Sequence, residues 1–138
     1  MMKKETGLWI DHKHAVVVLQ EHAPHPHAEI FTQVKHIASD ANSHPRFKGD
    51  AASTTEEDIR DRKYANQLNK FYDEVIEALQ GYPVIYVFGP GEAKLELVKR
   101  LEHHRLADLV VGVEAADKLT EPQVVARVHK FFSKEVLH

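Results

Sequence analysis

Four groups of residues have the types and spacing to do chemistry. The first is Gly89-Pro90-Gly91-Glu92-Ala93-Lys94. A strand that ends in glycines and opens a helix offers free amides and a positive dipole end to an anion, and Lys94 would add a charge. Neither the G-x-x-x-x-G-K-[ST] phosphate loop nor the G-x-G-x-x-G dinucleotide pattern is present, and Glu92 places a negative charge where a phosphate would sit. A tight strand-to-helix connection is therefore the simpler reading. The second group is Asp11 with Glu114 or Asp117, carboxylates near strand ends that could clamp a divalent metal for hydrolysis. No spacing rule ties them together, and an aspartate that sets a hairpin turn explains Asp11 as well. The third is histidine: His12 and His14 on one strand face, and His22-x-x-His25-x-His27 in one turn. Two imidazoles give adventitious zinc or nickel affinity, whereas a proper site needs three or four converging ligands, and a proline-rich turn holds ligands poorly. The fourth is His44-Pro45-Arg46-Phe47-Lys48-Gly49, where cations flank a ring that could stack on a base. Asp40 and Asp50 keep its local charge small, so a solvated loop is the simpler reading. There is no nucleophile elbow and no His-Glu-x-x-His helix, and no pattern calls for a cofactor or a resident metal.

The chain that must position these residues has 138 residues, the length of a single domain with one real core. Its 43% hydrophobic and 28% charged residues are those of a globular protein. No apolar run reaches the roughly 18 residues that would span a bilayer. The opening Met1-Met2-Lys3-Lys4-Glu5-Thr6-Gly7 lacks the apolar stretch of a secretory signal. No cysteine is present, which excludes disulfides and thiolate metal sites and makes the cytoplasm the expected address. A formal net charge of −3 argues against coating nucleic acid by bulk charge, but not against a local basic patch. The 11 histidines predict a charge that climbs steeply as pH falls through neutrality.

Leu8-Trp9-Ile10 and Ala15 to Leu19 predict two strands of a hairpin, the second covered on both faces. A third strand is expected where Ala28, Ile30, Thr32 and Val34 alternate with Glu29, Phe31, Gln33 and Lys35. A long polar connection, Ala38 to Thr54, follows. A helix capped by Thr55 should present Tyr64, Leu68, Phe71, Tyr72, Val75, Ile76 and Leu79 on one face and stop at Gly81. Val84 to Phe88 predicts a buried strand. The next helix has Pro90 in its first turn and a narrow stripe of Leu95, Val98 and Leu101. Leu109 to Val113 predicts the last strand. Thr120 and Gln123 form a capping box for a helix that buries Val124, Val125, Val128, Phe131 and Phe132. The order β-β-β-α-β-α-β-α predicts an α/β fold of the ribonuclease H-like kind, a mixed five-stranded sheet with helices packed on it.

Three stretches carry a family resemblance: Leu8 to Ala15, Phe88 to Leu97, and Val111 to Gln123. Across nearly the whole chain the sequence resembles small bacterial translational-machinery proteins, which are similar to the middle domain of archaeo-eukaryotic peptide-release factors and of the ribosome-rescue factor Pelota. In release factors the connection after the third strand carries a Gly-Gly-Gln tip. Ala38 to Thr54 has none, so peptidyl-tRNA hydrolysis does not carry over. The resemblance implies one domain over residues 1–138, with the loop at about 38–54 and the second helix as contact surfaces.

The leading expectation is a non-enzymatic module that binds the ribosome or RNA through Arg46, Phe47, Lys48, Lys94, Lys99 and Arg100. The rival is a metal-dependent nuclease or hydrolase that uses Asp11 with Glu114 or Asp117. A third reading is a self-associating domain, a homo-oligomer whose histidines tune assembly with pH. No membrane partner is expected.

Overall fold

The computed structural model describes residues 2–40 and 54–136. The chain order is β1 (Lys3–Ile10), β2 (His14–His22), β3 (Phe31–Ala38), α1 (Thr54–Ala78), β4 (Ile85–Gly89), α2 (Ala93–His103), β5 (Val110–Ala115) and α3 (Glu121–Val136), with one 3-10 turn at Ala107–Leu109 before β5. The strands form one sheet in the order β3-β2-β1-β4-β5. β1 pairs antiparallel with β2, and β2 with β3, while β4 runs parallel to both β1 and β5. This is the mixed five-stranded ribonuclease H-like α/β arrangement predicted from the element order.

The central strands read as continuous apolar runs because both of their faces are covered. On one face Leu8, Ile10, Val17, Leu19, Ile85 and Val87 meet Phe71, Val75 and Ile76 of α1 and Leu97 and Leu101 of α2. On the other, Trp9, Val16, Val18, Tyr86 and Phe88 meet Val124, Val128 and Phe132 of α3. The face expected for α1 is the observed one, with Tyr64 only partly buried. The capping box of α3 is present: the Thr120 amide donates to Gln123 Oε1 at 2.9 Å, and the Gln123 amide to Thr120 Oγ1 at 3.4 Å.

Three expectations need correction. β3 begins at Phe31, so Ala28 and Ile30 lie outside it, and Ile30 and Phe31 are 38% and 57% exposed. β3 is an edge strand at the margin of the core, and only Val34 and Ile37 of it pack inward, on opposite faces. α2 begins at Ala93 rather than at Pro90, because Gly91 at φ 61° interrupts the helical path. Its buried side is Ala93, Leu97 and Leu101, whereas Leu95 is 54% exposed. Leu97 and Leu101 are one turn apart over the sheet, and Leu95 points away from it.

Candidate functional site: the α1–α2 groove and the ends of β1 and β4

The carboxyl ends of the parallel strands β1 and β4 lead into the segments singled out above. Asp11 follows β1, and its Oδ1 accepts the amides of Lys13 and His14, each at 2.8 Å. This is the hairpin-setting role of an aspartate, which offers the chain a local alternative to continuing the strand. Glu114 lies on β5, separated from β1 by β4, and is held by Tyr86 and Arg127. At Asp117 the backbone carbonyl accepts the Trp9 indole N–H at 2.9 Å. Among the described residues no group of three or more histidine, aspartate and glutamate side chains converges as a metal site would require.

The histidines expected to share a strand face diverge. His12 sits in the hairpin turn with Nε2 at 3.1 Å from Glu96 Oε1 on α2, while His14 opens β2 and lies 5.0 Å from the Trp9 ring, centroid to centroid. The turn gives His12 a different direction from the strand residue two positions on, so strand alternation does not apply to it. His22 bonds Glu5 at 2.7 Å, and His25 and His27 are exposed.

A groove between α1 and α2 holds a cavity of about 430 Å³. Tyr64, Leu68 and Tyr72 of α1 face Glu96, Lys99, Arg100 and His103 of α2 across it. Residues three and four apart share a helix face, so each wall is a single stripe. Tyr72 donates its hydroxyl to Glu96 Oε1 at 2.6 Å, the same oxygen that meets His12. Burial, reinforced by the Glu96 carboxylate, holds the Tyr72 phenol well above its usual range, so it stays a neutral donor.

Of the sequence-predicted contact residues, Lys99 and Arg100 come together in this groove. Lys99 is exposed, whereas Arg100 makes a forked pair with Asp73, Nε to Oδ1 at 2.8 Å and Nη2 to Oδ2 at 2.9 Å. Lys94 stands apart from them, its ammonium folded back onto the Gly91 carbonyl. Arg46, Phe47 and Lys48 lie outside the described residues. Tyr64, Tyr72, Glu96 and His103 were not singled out as contacts from sequence. Tyr64 and Tyr72 could be read only as part of an apolar stripe, and the Tyr72–Glu96 pair brings together positions 24 residues apart.

The Arg100 pair and His104 Nε2 at 3.0 Å hold the Asp73 carboxyl at about 2, below its ordinary value, with the Arg100 hydrogen bond the largest cause. A carboxyl depressed on folding contributes stability that is complete above its unfolded value and is lost as pH falls through the folded one. Asp73→Asn should therefore destabilise the protein at neutral pH. The difference from the parent should shrink between about pH 4 and about pH 2, as followed by urea unfolding. Asp73 is substantially exposed, so the effect should be modest.

No family model matches the chain, and no curated protein matches it. Solved structures do. Pelota from Archaeoglobus fulgidus superposes with a TM-score of 0.55 at 13% identity over 96% of this chain and 32% of Pelota. Pelota from Thermoplasma acidophilum gives 0.55 at 19% identity over 91% and 31%. The chain thus spans about a third of the length of the Pelota structures it matches. At these identities the likeness is one of fold: the chain has the architecture of a Pelota-like domain.

Proposed function

We propose that this protein is a non-enzymatic, translation-associated module of the cytoplasm that contacts the ribosome or RNA. It would correspond to the middle domain of Pelota and the release factors, as the small bacterial translational-machinery proteins do. The observation that carries this reading is the Pelota-like fold over 96% of the chain. The α1–α2 groove supports it, because Tyr64 offers a ring, Lys99 an uncovered ammonium and Arg100 a guanidinium within one cavity. Rings and cations interleaved in this way suit single-stranded nucleic acid. The proposed contact set is Lys94, Lys99 and Arg100 on α2 together with Arg46, Phe47 and Lys48. Without a Gly-Gly-Gln in the connection, the role is binding and not peptide release.

The test is a titration of ribosomal RNA fragments with the purified protein over a series of salt concentrations. Affinity should fall with salt, and Lys99→Glu should lower the log–log slope by about one. Absence of binding at the lowest salt would remove the reading.

A further inference from the structure

The opposite end of the sheet holds a second cavity, of about 440 Å³, in the range of small-molecule sites. It lies where β1 begins and where the chain enters β4, and is lined by Met2, Lys3, Lys4, Glu5, Gly81, Pro83, Val84 and Phe132. Met2, Pro83, Val84 and Phe132 make it largely apolar. Into that wall the fold sets a carboxylate: Glu5 is 4% exposed.

Burying a carboxylate is costly unless it is fully hydrogen-bonded. Glu5 is only half satisfied. Its Oε1 accepts from Gln20 Nε2 at 2.9 Å and meets His22 Nε2 at 2.7 Å. The second oxygen makes no hydrogen bond among the described residues, and the residue that bears it forms part of the cavity wall. Beside it, Gln20 is 2% exposed, and its Oε1 has no partner. Gln20 Oε1 is the one fully buried side-chain acceptor left unpaired among the described residues, and it lies behind Glu5 rather than in the cavity wall. The second Glu5 oxygen keeps some access and is left to accept from a donor in the cavity. Gln20 and His22 also fix the carboxylate in one orientation before any ligand comes.

The other charges on the wall narrow what that donor is. Lys3 and Glu5 are two residues apart on β1, so they project from the same sheet face about 7 Å apart. Lys4 is engaged with Glu21 at 3.4 Å, but Lys3 is exposed and has no partner among the described residues. A simple cation would satisfy Glu5 but be repelled by the lysines, and a simple anion would be repelled by Glu5. A small zwitterion with an apolar body meets all three features.

We infer that this cavity binds an apolar α-amino acid, with its ammonium on Glu5, its carboxylate at Lys3 and its side chain against Pro83, Val84 and Phe132. This site is separate from the α1–α2 groove and does not depend on the translation reading.

The test is calorimetric titration of the full-length protein with L-phenylalanine, phenethylamine, which lacks the carboxylate, and 3-phenylpropionate, which lacks the ammonium. L-Phenylalanine should bind, and each truncated analogue should bind at least about tenfold more weakly, the loss expected for one charge-assisted contact. Glu5→Gln should abolish binding. Because that change touches a buried network, Lys3→Ala provides a second reading on an exposed residue and should weaken L-phenylalanine about tenfold while leaving phenethylamine unchanged. The inference is overturned if L-phenylalanine gives no heat at millimolar concentration, if phenethylamine binds as well as L-phenylalanine, or if binding survives both substitutions.

Discussion

Gly89→Ala should leave little or no folded protein, with a loss of at least about 3 kcal/mol in any that folds, measured by urea unfolding. An added Cβ at Gly89 would lie 2.2 Å from the Ile10 carbonyl oxygen and 3.1 Å from the Ile10 nitrogen. Both are backbone atoms of the neighbouring strand β1, so no side-chain rotation can relieve the contact. The φ of 154° at Gly89 adds a conformation that side chains rarely adopt. The residue also holds the sheet on its other side, pairing with Ala115 of β5 and accepting the Ala116 amide at 3.1 Å. Gly91 provides the contrast. It has φ 61° but nothing within 4 Å of an added Cβ, so Gly91→Ala should cost only about 1 kcal/mol, the penalty of the left-handed conformation. Similar losses at the two glycines would show that the close approach of β4 to β1 is wrong.

The second large effect separates two leucines of one helix. Leu97 is fully buried between α2 and the sheet, and Leu97→Ala should cost about 3 kcal/mol through lost burial and the cavity left behind. Leu95 is 54% exposed, and Leu95→Ala should change stability by no more than about 0.5 kcal/mol. Denaturation midpoints at constant m-value decide between them. Comparable losses would mean that α2 is rotated relative to the sheet.

That pair also marks where the sequence was sufficient. The stripe of α1 was legible because seven apolar residues over more than four turns define one face, and the cap of α3 because Thr120 and Gln123 are three residues apart. The central strands were legible as continuous apolar runs. α2 is only 11 residues long, and with Leu95, Leu97, Val98 and Leu101 two stripes fit nearly equally well. The contact with the sheet chooses between them, and that contact is not local. The start of β3 was misplaced for a related reason: an edge strand is half solvated, so alternation carries little information about where pairing begins.

The candidate sites were less legible than the fold. Lys99 and Arg100 could be picked out as cations on a helix, but the partner that engages Arg100 is Asp73, 27 residues earlier. His12 and Glu96 are 84 residues apart and meet only because β1 and β4 are adjacent parallel strands that both end there. The Glu5–Gln20–His22 cluster depends on the register of β1 against β2, which sets Glu5 opposite Gln20 and Lys3 opposite His22. Long-range pairing of this kind leaves no local mark on the sequence.

The most direct measurement is sedimentation of the tagged protein in cell lysate through a sucrose gradient at low and at moderate salt, with the Lys99→Glu variant run beside it. The protein should migrate with a ribosomal particle at low salt, moderate salt should release it, and the variant should be released at lower salt than the parent. Protein that stays at the top of the gradient in both salts would contradict the translation role and leave the likeness to Pelota as one of fold alone.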